Sequence, residues 1–181
     1  MEKAPGGTSV GVEDPYGHVE RCDFVTSDGK CRWAREHGHH DPAFANARSA
    51  AEFRCPAAVG PDGEPDAAEW DWRDCPHFRC RNRDRECRRC GLEARPVAHD
   101  DSRPLLEEHH LSYADGEQLS HEITVYLCRW CHARVHNSWA RVDDDVGPDP
   151  EAIAQLEGRR SEEHDELSFR SAAERYSDSE E

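Results

Sequence analysis

The sequence has few apolar residues and no long run of them. Its mean hydropathy is −1.01, and only 35% of its 181 residues are hydrophobic. No stretch reaches the roughly 20 apolar residues that a membrane-spanning helix needs. The amino-terminal residues also lack the apolar core of a secretory signal. We therefore expect a cytoplasmic protein that has no membrane partner.

Two further absences limit the folds and functions that are possible for this chain. No Gly-rich phosphate-binding loop and no nucleotide-binding pattern occurs in the chain. With so little apolar surface, 181 residues can form one or two small domains but not a large core. We therefore expect bound metal ions to supply part of the stability that a core would otherwise give.

Lysine and methionine are scarce as well. Only two of the 23 basic residues are lysine, there is one methionine, and the formal net charge is −16. This balance is typical of proteins adapted to a salt-rich cytoplasm, and we predict a halophilic protein. The alternative is an ordinary acidic protein. Under the halophilic interpretation, the net charge reflects the environment and says little about the substrate.

The nine cysteines, in contrast, are abundant. A cytoplasmic protein keeps its thiols reduced, so spaced cysteines predict metal ligands rather than disulfides. Cys87 and Cys90 are separated by two residues, as are Cys128 and Cys131. Two such pairs complete the tetrahedral site of a structural Zn²⁺. The 37 residues between the pairs exceed the gap of a simple zinc ribbon, so further structure lies between them.

Histidines form a second candidate metal site beside these cysteines. Residues 129–140 contain no Gly or Pro and predict a helix, on which His132 and His136 project from one face. Two histidines at this spacing are half of a divalent-metal site. The adjacent pair His109 and His110 can supply the next ligand.

Taken together, these segments resemble the HNH, or ββα-metal, endonucleases, in which a cysteine-clipped hairpin and a following helix hold one catalytic ion. The resemblance covers about a third of the chain, in the segments Cys87-x-x-Cys90, Glu108-His109-His110 and Leu127-Cys-x-x-Cys-His-x-x-x-His136. It implies a small zinc-stabilised α+β fold, a structural Zn²⁺, a catalytic Mg²⁺ or other divalent cation, and DNA as the substrate.

The resemblance also implies roles for the histidines. His109, His132 and His136 match metal ligands, and His110 matches the general base that activates a water for attack on a phosphodiester. Successive residues of a strand point to opposite faces. His109 and His110 can therefore share one site only where the strand bends or ends.

The chain departs from the family pattern at one position. Ile123, nine residues before His132, occupies the place of the middle Asn that positions the family's active-site loop. His121, Thr124 or Tyr113 could take over that positioning role. The substitution leaves the predicted metal ligands and base in place.

A second Cys- and His-rich segment precedes this region. Thr-Ser-Asp-Gly between Cys22 and Cys31 predicts a hairpin turn that brings the two cysteines together, and residues 41–53 predict a helix that leads to Cys55. These three cysteines, with His40 or Cys75 as the fourth ligand, could form a second zinc site. The alternative is that some of them are small buried hydrophobic residues. Cys80 is the cysteine that we expect to be no ligand.

Arginines cluster next to the first cysteine pair. Residues 79–95 contain seven arginines and three acidic residues, which is the only strongly basic stretch of the chain. Such a patch is typical of binding to the phosphate backbone. The candidate DNA-binding residues are Arg81, Arg83, Arg85, Arg88, Arg89 and, on the predicted helix, Arg134. The alternative is that these arginines only neutralise nearby acids.

The predicted organisation has four parts. Residues 1–18 are loose, 19–78 form the Cys/His-rich module, 79–142 form the HNH domain, and 143–181 form an acidic, largely disordered tail with a short helix at 150–160. The predicted function is metal-dependent cleavage of DNA. The alternative is a zinc-stabilised DNA-binding protein whose HNH site has lost turnover. A purely structural zinc domain would not require the His109–His110 pair beside two helix histidines.

Overall fold

The structure, a computed structural model, describes residues 3–58, 70–94, 105–113, 120–144 and 149–167. It is small and mixed α+β, as predicted. The strands are β1 (Cys80–Arg81), β2 (Leu106–Ser112) and β3 (Ile123–Cys128). The helices are α1 (Arg32–Glu36), α2 (Pro42–Ala50), α3 (Arg129–Asn137) and α4 (Pro150–Leu167), with 3₁₀ turns at Pro15–His18 and Trp72–Asp74. Within the described ranges, no helix has the length and apolar character needed to cross a membrane.

The three strands form one sheet with β3 in the centre. β2 pairs with β3 antiparallel, and the short β1 pairs with its other side in parallel. His109 lies opposite Val125, and His110 lies opposite Thr124. Because side chains alternate along a strand, His109 and His110 point to opposite faces of the sheet.

Helix α3 follows β3 without a loop and covers one face of the sheet. Cys128 is the last residue of β3 and the N-cap of α3, where its sulfur accepts a hydrogen bond from the Cys131 amide at 3.5 Å. Val135 of the helix is fully buried, together with Val125 and Leu127 of β3. The helix ends at Asn137, because Ser138 has an extended backbone, so it is shorter than the predicted range 129–140.

The amino-terminal segment is packed into the core, so the prediction that residues 1–18 are loose was wrong for the described residues 3–18. Val10 and Val12 are buried, and the Gly11 carbonyl accepts a hydrogen bond from the Val142 amide at 3.0 Å. Gly11 has φ +80°, and a Cβ added to it would lie 2.6 Å from Val135. Only glycine therefore fits at this close approach.

The Cys/His-rich module contains the predicted turn and the predicted helix. The Thr26 amide donates to the Lys30 carbonyl at 2.9 Å and closes the hairpin turn. Helix α2 begins at Pro42 behind the Asp41 cap, as expected. It ends at Ala50 rather than at residue 53, because residues 52 and 53 adopt positive φ angles of 55° and 63°.

Helix α4 extends the predicted helix of the acidic tail. It runs to Leu167 instead of Arg160, and Glu157 on it is 1% exposed. The Glu157 carboxylate accepts from Arg129 at 3.1 Å and from Arg160 at 2.9 Å, so its buried charge is paired. Residues 150–167 of the predicted disordered tail are thus helical. Residues 168–181 lie outside the described part of the chain.

One cluster of buried side chains runs through both predicted domains. It includes Cys22, Cys75 and Phe78 from the region assigned to the Cys/His module, and Leu127 and Val135 from the region assigned to the HNH domain. Tyr16 contributes at its edge, with its ring 5.7 Å from that of Phe78. The two cysteine-rich regions therefore share one core.

The fully buried strand residue Leu127 and the partly exposed helix residue Leu156 provide a matched test of this core. Leu127→Ala should lower the free energy of unfolding by about 2–5 kcal/mol, because the deletion leaves a cavity. Leu156→Ala, at a side chain that is 39% exposed, should change it by about 0.5 kcal/mol or less. Denaturant unfolding of the two variants at one fixed salt concentration measures the difference. Equal losses would contradict the placement of the core.

Candidate metal centres

The four cysteines of the two closely spaced pairs meet at the start of α3. The sulfurs of Cys87, Cys90, Cys128 and Cys131 all lie within 4.8 Å of one another, and the Cys90 and Cys128 sulfurs are 3.8 Å apart. Ligand atoms of a tetrahedral zinc–thiolate site are separated by roughly 3.8 Å, given Zn–S bonds of about 2.3 Å. This group could hold a metal ion such as zinc.

A tight turn positions the first of these pairs. The Gly91 amide donates to the Cys87 carbonyl and the Cys87 amide donates to the Leu92 carbonyl, both at 2.8 Å. Gly91 adopts φ 69°, which a residue with a side chain rarely tolerates. The Arg88 amide then ties this turn to the Tyr126 carbonyl of β3 at 2.8 Å. The sequence between the cysteines thus makes the turn, and β3 anchors it.

The protonation of the four thiols favours a bound cation. Hydrogen bonds from Cys128 and Cys131 hold the pKa of Cys87 well below its usual range, and hydrogen bonds from the same two residues lower the pKa of Cys90. Hydrogen bonds with Cys131 and Cys87 raise the pKa of Cys128. The four thiols thus influence one another, and the charge of any thiolate opposes ionisation of the others. A divalent cation removes this opposition, because it binds all four as thiolates.

Arg89 lies beside the cysteine group instead of facing solvent. One of its guanidinium nitrogens lies 3.9 Å from the Cys131 sulfur, and another donates to Asp144 at 3.4 Å. Its side chain is only 6% exposed. The prediction that Arg89 binds DNA therefore does not agree with its position. Its charge instead faces the thiolates and links them to the residues that follow α3.

Three histidines form a second group on the sheet face that α3 covers. The ligand nitrogens of His109, His132 and His136 lie within 4.8 Å of one another. The Nε2 atoms of His132 and His136 are 3.1 Å apart. Two nitrogens bound to one tetrahedral ion at about 2.0–2.1 Å would be separated by roughly 3.3 Å. The spacing of these residues therefore fits a divalent cation of the type that imidazole prefers.

Neighbouring acceptors set the tautomers of two of these rings. Nε2 of His109 lies 2.8 Å from the Val10 carbonyl, which can only accept, so this nitrogen carries the hydrogen and Nδ1 is left with a lone pair. Nδ1 of His132 lies 2.5 Å from the Glu107 carboxylate and is likewise the donor, which leaves Nε2 with a lone pair. Such partners orient metal-binding histidines in many sites.

Burial keeps the histidines in their ligand form. His109 is 1% exposed, and burial lowers its pKa to about 4, with a further contribution from the nearby His132 and His136. Burial also lowers the pKa of His136. Both rings are therefore neutral near pH 7, and a neutral imidazole is the form that binds a metal.

The structure does not bring His110 to this group. Its Nε2 lies 3.1 Å from the Glu122 carboxylate, and its ring stacks on Tyr113 with centroids 5.0 Å apart. The β-bulge of β2 falls after His110, between it and Ser112, and so does not turn His110 towards His109. The expectation that the two adjacent histidines share one site is thus not met.

The position that the family Asn would occupy is part of the core. Ile123 is 0% exposed on β3. Of the three candidates for its role, Tyr113 stacks on His110, and Thr124 donates to Glu108 at 2.9 Å. His121 has φ 61°, and its Nδ1 lies 2.5 Å from the Tyr16 hydroxyl. None of these contacts reaches the three-histidine group.

The remaining predicted DNA-binding arginines differ in whether they form ion pairs with acidic side chains. Arg81 makes a two-pronged ion pair with Glu108 at 3.0 and 2.8 Å, and Arg88 lies 4.0 Å from Glu20. Arg134 is exposed, and its guanidinium lies over the Trp130 ring, 5.5 Å from its centroid. Of the predicted DNA-binding arginines, those that are exposed and have no ion pair among the described residues are Arg83, Arg85 and Arg134.

The cysteines of the amino-terminal module also turn inward, but one predicted ligand does not. Cys22, Cys31 and Cys75 are buried, and Cys55 is half-buried. His40 is exposed, and its ring contacts His39 at a centroid distance of 3.9 Å. His40 therefore faces solvent, unlike the cysteines with which it was grouped.

Several functional contacts were not foreseen in the sequence. Glu107 could have been found, because it is two residues before His109 and hence on the same face of β2. The Val10 carbonyl could not, because any residue offers a carbonyl and this one is 99 positions away from His109. Arg89 was assigned from its charge alone, and charge does not reveal which group it will face.

Comparison with known proteins gives a family without an assigned activity. The description "Family of unknown function (DUF7097)" applies to a family whose model matches residues 1–175. The chain belongs to this family. No curated protein and no solved structure matches the chain.

The adjacent histidines of β2 allow a sharp test of the three-histidine group. His109→Ala should weaken binding of Ni²⁺ to the zinc-loaded protein by about 100-fold or more, since loss of an outer partner alone costs about 10- to 100-fold. His110→Ala should leave the affinity nearly unchanged, because His110 faces the other side of the sheet. Isothermal titration calorimetry gives both affinities. Equal weakening by the two variants would contradict the proposed ligand set.

Proposed function

We propose that this chain is a metal-dependent endonuclease of the HNH type that hydrolyses phosphodiester bonds in DNA. The observation that carries the proposal is the convergence of His109, His132 and His136 next to a four-cysteine group at the start of one helix. Each part also matches the resemblance to the ββα-metal endonucleases: an antiparallel hairpin, a helix that follows it, and a cysteine group that clips the two together.

The side chains fit a catalytic cation better than a purely structural one. Structural zinc sites use four protein ligands, whereas catalytic sites use three and keep one position for water or substrate. Three histidines form this group, and His132 retains 25% of its side-chain exposure. A bound divalent ion would lower the pKa of a water ligand and neutralise charge on the phosphate.

The residues around the group prepare it for that role. The Val10 carbonyl and the Glu107 carboxylate each accept from one ring nitrogen, which leaves the other ring nitrogen of His109 and of His132 with a lone pair for an ion. Arg129 lies 4.0 Å from the other oxygen of Glu107, and Glu157 pairs with Arg129 at 3.1 Å. Helix α4 thus supports the Glu107 side chain through a chain of opposite charges.

The proposal does not rest on His110. The resemblance assigns it the role of general base, and its pairing with Glu122 would suit a base. Its ring, however, lies on the face of the sheet opposite to the three histidines. We therefore place the activation of water at the three-histidine group.

The second candidate function, a non-catalytic DNA-binding protein, is favoured by two observations. Ile123 leaves no hydrogen-bonding group at the family's Asn position, and His110 is turned away from the candidate site. Such a protein would retain zinc and DNA binding without turnover. Activity decides between the two functions.

Nicking of supercoiled plasmid in high salt with Mg²⁺, Mn²⁺ or Ni²⁺ tests the nuclease. His132→Ala should abolish metal-dependent nicking, because it removes a ligand at the group's exposed edge. His110→Ala should keep the rate within about tenfold of wild type. A loss of about 10²- to 10⁴-fold in His110→Ala would instead restore this residue as the general base.

Wild-type protein that binds DNA but nicks it no faster than His132→Ala would establish the non-catalytic alternative. The stability of each variant, measured in the same buffer, serves as the control for misfolding.

The exposed arginines allow a separate test of DNA binding. The double variant Arg83→Ala/Arg85→Ala should weaken binding to unrelated DNA sequences by the same factor. It should also reduce the slope of the logarithm of the binding constant against the logarithm of salt concentration, by up to about 0.9 for each phosphate that the variant no longer neutralises. Arg81→Ala is the matched control, because its guanidinium already pairs with Glu108. Fluorescence anisotropy over a range of salt concentrations measures both effects. An unchanged salt dependence in the double variant would remove these residues from the interface.

A further inference from the structure

Four cysteines outside the group described above are assembled from three separate segments of the chain. Cys22 and Cys31 flank the hairpin turn, where Val25 pairs with Cys31 in an antiparallel bridge. Cys55 follows a segment that pairs with this hairpin: the Cys31 amide donates to the Phe53 carbonyl at 2.7 Å, and the Cys55 amide donates to the Gly29 carbonyl at 2.9 Å. Backbone pairing thus places Cys55 beside Cys31.

Cys75 joins this arrangement through the segment that leads into β1. The Asp23 amide donates to the Arg79 carbonyl at 2.7 Å, and the Arg79 side chain donates to the Asp23 carboxylate at 2.8 Å. The turn that begins at Cys75 is closed by the Phe78 amide, which donates to the Cys75 carbonyl at 3.2 Å. Cys75 is therefore held close to the Cys22 end of the hairpin.

The antiparallel bridge between Lys30 and Arg54 also relates Cys31 to Cys55. Each cysteine follows a bridged residue, and side chains alternate along paired segments. Cys31 and Cys55 therefore lie on the same face of this pair of segments.

We propose that Cys22, Cys31, Cys55 and Cys75 are the ligands of a second structural metal ion, with zinc as the expected ion. This site is separate from the three-histidine group and does not depend on the nuclease function. It also assigns Cys75 as the fourth ligand in place of the exposed His40. The four sulfurs are less closely gathered than those of Cys87, Cys90, Cys128 and Cys131, so we expect the metal to draw the three segments together.

Substitution of cobalt for zinc tests the proposal, because thiolate-to-cobalt charge-transfer absorbance counts Co–S bonds and does not register histidine ligands. Full-length wild-type protein should show the absorbance of two four-thiolate ions. Cys75→Ser should lower it by about one eighth if the site keeps its ion, and by about half if the ion is lost. Cys80→Ser and His40→Ala should leave it unchanged, since Cys80 is an equally buried cysteine outside the group.

Absorbance from only one four-thiolate ion in the wild type would overturn the site. Loss in His40→Ala but not in Cys75→Ser would overturn the ligand assignment. If Cys75→Ser does not fold, the wild type alone still decides the question. A mercurial thiol reagent should release two zinc ions per chain to a metal-sensitive dye, because it displaces thiolate-bound zinc and spares ions held by histidine. Release of one zinc ion would refute the second site.

Discussion

The junction of β3 and α3 at Cys128 is the constraint on which the rest of the structure depends. Cys128 pairs with Leu106 in the sheet, caps the helix with its sulfur, and belongs to the four-cysteine group. No loop separates strand from helix, so the cysteine group fixes the angle at which α3 leaves the sheet. The first turns of the helix then place His132 and His136 over His109. A metal held by the cysteines would thus also set the spacing of the histidines.

A chain with so little apolar surface needs such constraints. The core extends from Val10 through Leu127 to Ile153 and includes six cysteines, which are small side chains that bury little area. The amino-terminal segment adds to this core and also supplies the Val10 carbonyl that orients His109. Packing and site geometry therefore share residues, so loosening of the segment around Gly11 would disturb both.

The local parts of this arrangement could be predicted from the sequence, and the long-range parts could not. Two-residue cysteine spacing, the Asp41 helix cap and the four-residue spacing of His132 and His136 follow from chain geometry over a few residues. The burial of Val10 beside His109 and the turn of Arg89 towards Cys131 depend on which distant segments meet. The arginine-rich stretch is a further example. Its excess of positive charge is visible in the sequence, but the pairing of Arg81 with Glu108 and the contact of Arg89 with Cys131 are not.

The two departures from the HNH pattern belong to one structural feature. Ile123 is fully buried on the central strand, where an Asn side chain would have to bury its amide at a cost of about 1–3 kcal/mol without a partner. On the other face of the sheet, Arg81, Glu108 and Thr124 form a closed polar network, and His110 with Glu122 lies on the same face. An apolar residue at position 123 adds to the core on the face that α3 covers. Regular pairing of β2 with β3 up to His110 keeps His110 on the opposite face. Under the proposed nuclease function, the chemistry would therefore have to come from an ion held by the three histidines, with Glu107 and Val10 as the groups that orient His132 and His109.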